Sequence, residues 1–171
     1  LVVGGGGSGC GVGACANSYN GGGQRRTEGG FGGEVITHDS FTIAEQTTSV
    51  VVGKGGNQAQ GRADGGFSSG NNGSESKFGA LTAAGGVRGN SWINGAPGWS
   101  GGTVSDITGH DVTYGRKGPT NNNGGGANAP ANTGDGSGGA GNYNGAGAGR
   151  GGVASAGIVI VRFPYVEPVN P

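Results

Sequence analysis

The sequence predicts a mainly β fold with extensive glycine-rich irregular or polyglycine-helix segments, little or no α-helix, and a small sheet closed by the C-terminal strand. Three observations predict it. Glycine supplies 47 of the 171 residues, roughly four times the usual share. No stretch shows apolar residues recurring at the 3.6-residue helical period. The β-branched residues gather instead in short runs between glycine tracts, the longest being Gly157-Ile-Val-Ile-Val-Arg-Phe163, and such runs bounded by Gly, Asn and Ser read as strands.

Taken in order, Leu1 to Val3 is a short apolar strand that runs into Gly4 to Gly7, and the chain is loop-like to Gly33, with Tyr19 and Phe31 as isolated anchors. Val35, Phe41 and Ile43, then Val50 to Val52, mark two strands over Glu34 to Ile43 and Thr47 to Val52. Ala44-Glu45-Gln46 between them has a common hairpin-loop length, so a local hairpin is expected. Gly53 to Gly73 returns to glycine, and Ser76 to Ala84 sets Phe78 and Leu81 in a strand-like context. Trp92 and Trp99 flank the turn signal Asn94-Gly-Ala-Pro-Gly98. Thr103 to Tyr114, broken by Gly109, reads as a small hairpin or an ordered excursion. Pro119-Thr-Asn-Asn-Asn123 reads as an exposed loop, and Gly134 to Gly152 is the purest glycine segment. The run Gly157 to Phe163 is too long to stay a bare edge; it should pair with Leu1 to Val3, with Thr47 to Val52, or with a neighbouring subunit. The domain is expected over 1–165, with an extended, proline-rich tail over 166–171.

The composition also sets an energetic requirement. Ordering each backbone residue costs on the order of 1–2 kcal/mol, and glycine has most freedom to lose. Apolar burial returns roughly 25 cal/mol per Å², which Gly and Ala scarcely collect. Dense backbone hydrogen bonding, burial between chains, or both must make up the difference. Collagen is rejected, because Asn142, Ala148 and Ala154 interrupt the one triplet phase that Gly136, Gly139, Gly145, Gly151 and Gly157 share. Two uses of glycine stay open: a flexible linker, or a bundle of three-residue-per-turn helices whose facing sides lack Cβ atoms, so that backbones bond to each other. The recurrence of strands able to clamp the glycine tracts favours the bundle.

Ten basic residues balance ten acidic ones, and Arg25-Arg26 and Arg116-Lys117 are isolated pairs, which argues against nucleic acid as a partner. No run approaches the ~20 apolar residues of a membrane-spanning helix. The chain starts mid-pattern at Leu1 without an initiator Met, as a processed product or a piece of a longer protein would. Cys10 and Cys15 are either a small disulfide loop or two free thiols, and they are too few for a zinc site. His38-Asp39 and His110-Asp111 hold both histidines; neither pair sits in a nucleophile elbow, a metal site formed by both pairs is conceivable, and two solvated loop histidines are the default reading. Gly4 to Gly13 lacks the Gly-Lys-Ser/Thr ending of a phosphate loop. Asn72-Gly-Ser74 is a formal glycosylation acceptor. No enzymatic activity and no cofactor are expected. The aromatics Trp92, Trp99, Tyr114 and Tyr143 on Gly/Asn/Ser-rich loops suit recognition, and equally suit a small core or a subunit interface.

Four motifs in one order carry a family resemblance: Leu1-Val-Val-Gly-Gly-Gly-Gly7, Thr48-Ser-Val-Val-Val-Gly-Lys-Gly-Gly56, Ser76-Lys-Phe78 followed by Leu81-Thr-Ala-Ala-Gly-Gly86, and Gly157-Ile-Val-Ile-Val-Arg-Phe163. This order resembles the glycine-rich domain near the C-termini of phage tail-fibre and tail-tip proteins, over nearly the whole chain to about Tyr165. The resemblance implies a virion appendage module that contacts the host surface, often as a trimer, with stacked polyglycine helices presenting variable loops. The chain departs from the pattern in lacking a strand before Leu1, and in Cys10 to Cys15 and the Trp92 to Tyr114 insert. The function expected is non-enzymatic attachment, by a virion or extracellular protein, to a host-surface receptor or glycan. Receptor-binding residues are expected at Trp92, Trp99, Tyr114, Asn121, Asn122 and Asn123, with a homotrimer or larger homo-oligomer and other virion proteins as partners. A structural component of an extracellular fibre or capsid is the alternative, and an ice-binding polyglycine bundle the third.

Overall fold

The computed structural model describes residues 1–12, 25–43, 47–62, 66–90, 100–120, 124–142 and 148–164. Among them there is no helix. The strands are β1 (Val2–Val3), β2 (Gly11–Val12), β3 (Arg25–Arg26), β4 (Val35–Ile36), β5 (Val50–Val51), β6 (Phe67–Ser68), β7 (Ser76–Phe78), β8 (Leu81–Ala83), β9 (Thr103–Ser105), β10 (Val112–Tyr114), β11 (Gly141–Asn142) and β12 (Ile158–Val159). They form small antiparallel sheets in the orders β12-β1-β4, β5-β7-β8, β10-β9, β11-β3 and β2-β6.

Most of the ordering lies between the strands, in glycine segments tied by backbone hydrogen bonds. Residues 4–12 are the axis. Their N–H groups donate in a three-residue rotation: Gly4, Gly7 and Cys10 to Glu34, Phe31 and Glu28; Gly5 and Ser8 to Ser74 and Asn71; Gly6 and Val12 to Ser155 and Gly149. Their carbonyls accept in a matching rotation: Gly5 and Ser8 from Gly86 and Gly89, Gly6 from Gly56, and Gly7 and Cys10 from Ser137 and Ala140. Partner numbers fall along the axis in the segments that accept from it (28–34, 71–74, 149–155) and rise in those that donate to it (53–60, 84–90, 135–140). The axis thus donates to antiparallel neighbours and accepts from parallel ones.

The neighbours also bond to one another in a ring. Ser74 N–H donates to Lys54 O, Gly73 to Gly86 O, Phe31 to Val87 O, Gly30 to Ser137 O, Gly152 to Gly138 O, and Gly151 to Ala59 O. Residues 115–119 and 124–129 form a further layer, through Gly118 N–H to Gly30 O, Gly136 N–H to Arg116 O, and Gly126 N–H to Arg150 O. This spacing is why glycine is required. A Cβ on Gly6 would lie 2.0 Å from Asp135 O, and one on Gly30 1.9 Å from Gly7 O, so any side chain there collides with backbone. Several of the larger residues that enter the bundle are hydroxylic and bond to backbone. Ser137 Oγ accepts from Gly9 N–H and donates to Gly152 O, and Thr27 Oγ1 lies within hydrogen-bond distance of both Cys10 O and Ala140 O.

The side-chain core sits at one end. Along β1, Leu1 and Val3 face Tyr114, with Val35, Ile107, Val112, Ile158 and Ile160 around them. Val2 faces Phe78 and Ala83, with Ile36, Phe41, Leu81 and Val159. This is the two-residue alternation of a strand covered on both faces. The β9–β10 hairpin covers one face and the β7–β8 hairpin the other. Gly79, at φ 56°, occupies the tight turn of the second hairpin, where a left-handed conformation favours glycine.

Three strand expectations are revised. Glu34 to Ile43 and Thr47 to Val52 do not pair as a hairpin: β4 joins β1, and β5 joins β7. β4 takes the free edge of β1, and β5 takes the free edge of β7, where Val50 and Val51 stay exposed. Ser76 to Ala84 is a hairpin rather than one strand. β12 does pair with β1, as Val2↔Val159 and Val3↔Ile158, but it forms the edge of an open sheet and closes nothing.

Candidate functional site at the loop end of the bundle

Opposite the apolar core, the bundle ends in a rim. There β2 pairs with β6 (Val12↔Phe67), Val12 bridges Gly149, β3 pairs with β11 (Arg25↔Asn142), and Gly124 bridges Gly141. Glu28 N–H donates to Asn90 O at the same level. Ser100 bridges Lys117 on the flank of the outer layer.

The rim is braced by buried polar groups. Cys10 is a buried free thiol whose Sγ donates to Gly89 O at 2.9 Å. Burial pushes its pKa up, outweighing a backbone hydrogen bond from Gly70 that favours the thiolate, and so favours the thiol over the nucleophilic thiolate. Glu28 accepts from the Lys117 ammonium and from Asn90 N–H, and Lys117 Nζ lies 4.1 Å from the centroid of the Phe31 ring. Further along the bundle, the fully buried Asp135 carboxylate takes Arg116 N–H at 2.7 Å and the Arg116 guanidinium at 2.9 and 2.7 Å. These pairs fasten residues 115–119 to the ring. Sequence reading missed both, because Glu28–Lys117 and Asp135–Arg116 join positions 89 and 19 residues apart; the isolated Arg116-Lys117 pair was the available signal.

Of the residues expected to bind a receptor, Trp92, Trp99, Asn121, Asn122 and Asn123 lie outside the described residues, as does Cys15, the possible disulfide partner of Cys10. Tyr114 is corrected. It is 3% exposed and packs on Leu1 and Val3 at the other end, because β10 turns its aromatic ring under β1. His38 also lies at the core end, its ring edge-on to Phe41 at 5.7 Å. His110 and Asp111 are exposed in the β9–β10 loop. Among the described residues no group of His, Cys, Asp and Glu is arranged to hold a metal ion. Comparison of the chain with known protein families, with curated proteins and with solved structures finds no match in any of the three.

Proposed function

We propose that this chain is a non-enzymatic attachment module of a phage tail fibre or tail tip, in which a scaffold of polyglycine helices carries binding loops to a host-surface receptor or glycan. The observation that carries this reading is the bundle itself, in which residues 4–12 and their neighbours are joined by inter-segment backbone hydrogen bonds. A backbone-bonded bundle is rigid and tolerates changes in what connects its segments, the division of labour expected of a scaffold with recognition loops. The three-residue rotation of hydrogen bonds along 4–12 supports left-handed polyglycine helices as the scaffold. Trp92, Trp99 and Asn121 to Asn123 are the residues we assign to binding, with Trp supplying rigid contact area and Asn adaptable hydrogen bonds.

The test is binding of the purified chain to an array of bacterial envelope glycans and to whole cells, compared with a variant combining Trp92→Ala and Trp99→Ala. Loss of binding with unchanged thermal unfolding supports the reading. Retained binding removes the 91–99 segment from it.

A fibre or capsid component is the second reading, favoured by the exposed Val50 and Val51 on edge strand β5 and the exposed Val52 that follows it, an edge available to another subunit. Particle imaging separates the two: a tip location supports attachment, and a repeating lattice supports the structural role.

A further inference from the structure

The sheet β5-β7-β8 ends at β5 in an edge that is apolar along its whole length. Gly79 N–H donates to Ser49 O, and the same register pairs Val50 with Phe78 and Val51 with Lys77. Hydrogen-bonded positions alternate along an antiparallel strand, so Ser49 and Val51 bond towards β7. Val50 and Val52 aim their N–H and C=O groups the other way, where they take no hydrogen bond among the described residues. Side chains alternate as well. Val50 lies on the face of Phe78, the face that packs on Val2, and Val52 returns to it. Yet Val50, Val51 and Val52 are 54%, 46% and 50% exposed, because β1 packs on β7 and β8 and β5 overhangs it. Edge strands are ordinarily blunted by a charge, a proline or a bulge. Beyond β12, the edge of the other sheet, the exposed Val161 is followed by Arg162 and Pro164. Thr48-Ser-Val-Val-Val-Gly53 has no charge and no proline, and its pairing with β7 is regular.

We infer that β5 is the seam of a two-fold dimer, in which it pairs antiparallel with β5 of a second copy of this chain. The edge itself sets the register. A two-fold axis through Val51 places Val50 of one copy opposite Val52 of the other. Both are outward-bonding positions, so this pair exchanges two hydrogen bonds and its symmetry mate two more. The two Val51 side chains meet on the outer face at a non-hydrogen-bonded position, where side chains approach most closely. Sliding one strand by two residues sets Thr48 or Lys54 against a valine, and sliding it by one sets bonding positions against non-bonding ones. A second copy is the occupant this edge fits, because β5 offers itself three β-branched residues in matching register and a chain of zero net charge does not repel its copy. The result is one continuous sheet in the order β8-β7-β5-β5-β7-β8, closed by its symmetry. Val50 and Val52 of both copies then lie side by side beneath it and cover the overhang that each copy leaves open. The dimer goes beyond the attachment reading, and it gives the edge that favours the structural reading a partner, a register and a symmetry.

The test is sedimentation of the purified chain over a concentration series, beside Val51→Lys, which sets two ammonium groups against each other at the seam and changes a half-exposed side chain in the single copy. The parent is expected to double in mass as concentration rises, and Val51→Lys to stay monomeric and folded. Amide exchange reads the bonding pattern: dimerisation is expected to slow Val50 and Val52 at least about tenfold, and Val51 much less. Crosslinking reads the register without relying on Val51→Lys. In a Cys15→Ser background, Val51→Cys is expected to form a disulfide-linked dimer on mild oxidation at least about tenfold faster than Val50→Cys, whose counterpart lies off the axis. A parent that stays monomeric, a mass three times that of the monomer, a dimer that survives Val51→Lys, or crosslinking as fast at position 50 as at 51 overturns the proposal. A monomeric parent whose Val50 and Val52 amides exchange slowly also overturns it, assigning the edge to a segment of the same chain. Glycan and cell binding by monomeric Val51→Lys tests the attachment reading separately, so the two can fail independently.

Discussion

The glycine bundle and the strand end solve the same problem by opposite means. In the bundle, side chains are excluded so that backbones approach within hydrogen-bonding distance, and stability comes from many inter-segment N–H···O=C bonds, each worth about 1 kcal/mol net. At the strand end, Tyr114, Phe78, Val3 and their neighbours bury apolar area around β1 in the ordinary way. The lesson is that β1 and the axis are one continuous stretch, residues 1–12, that changes its mode of ordering at Gly4. Adding a methyl group is catastrophic on one side of that boundary, and removing side-chain atoms is costly on the other.

The sharpest way to break this comparison is Gly6→Ala. Its new Cβ meets Asp135 O at 2.0 Å and Asp135 C at 2.3 Å, both backbone, so the segments must separate. A loss of about 4 kcal/mol or more is expected by denaturant unfolding. Gly125→Ala, where the nearest atom is 3.5 Å away, is the control and should change stability by less than about 0.5 kcal/mol.

Next comes Tyr114→Ala, expected to cost about 3–5 kcal/mol as a buried aromatic truncation. If the folded variant binds a host surface as before, its role is packing alone. Asp135→Asn keeps the shape but removes the charge facing the Arg116 guanidinium, and it should cost about 2 kcal/mol. A salt titration of stability should show little screening of this pair in the parent, since the carboxylate is fully buried.

The smallest effect is a pH dependence at the strand end. The Leu1 ammonium is disfavoured by burial, so its pKa lies below the ordinary 8.0. The cost of the charge is fully present below the folded pKa and disappears as pH rises through it towards 8.0. Stability should therefore rise slightly with pH across that window. Acetylating the amine should abolish the slope, whereas bundle-disrupting substitutions such as Gly6→Ala should leave it in place.

Much of the fold was legible one residue at a time. The absence of helical period, the apolar runs at Leu1 to Val3, Val50 to Val52 and Ile158 to Val161, and the turn signals around Gly109 led to strands where strands occur. Pairing was less legible. A hairpin between Glu34 to Ile43 and Thr47 to Val52 satisfies every local rule of loop length and β propensity, yet β4 and β5 join different sheets. Local rules do not register that β1 has two faces and two edges to cover. Tyr114 misled for a related reason: an aromatic among polar residues looks the same in sequence whether its ring meets solvent or passes beneath Leu1 and Val3. At the rim, Thr27 and Ser137 read as ordinary loop residues. Their role in bridging segments depends on neighbours more than 100 residues away, Ala140 for Thr27 and Gly9 for Ser137.

The sequence alone determined that a side-chain core within one chain could not order this protein, which left backbone hydrogen bonding, burial between chains, or both. With 47 glycines, no net charge and few large apolar residues, no side-chain core can offset the entropy of so many flexible residues. Only the tertiary structure decided which backbones meet. Glycines are chemically identical, and nothing in a run such as Gly4 to Gly7 says that Gly4 donates to Glu34, Gly5 to Ser74 and Gly6 to Ser155. That choice belongs to the bundle as a whole, because each segment's partners are set by the three-residue rotation of the axis and by the strands that clamp it at Val2 and Val3.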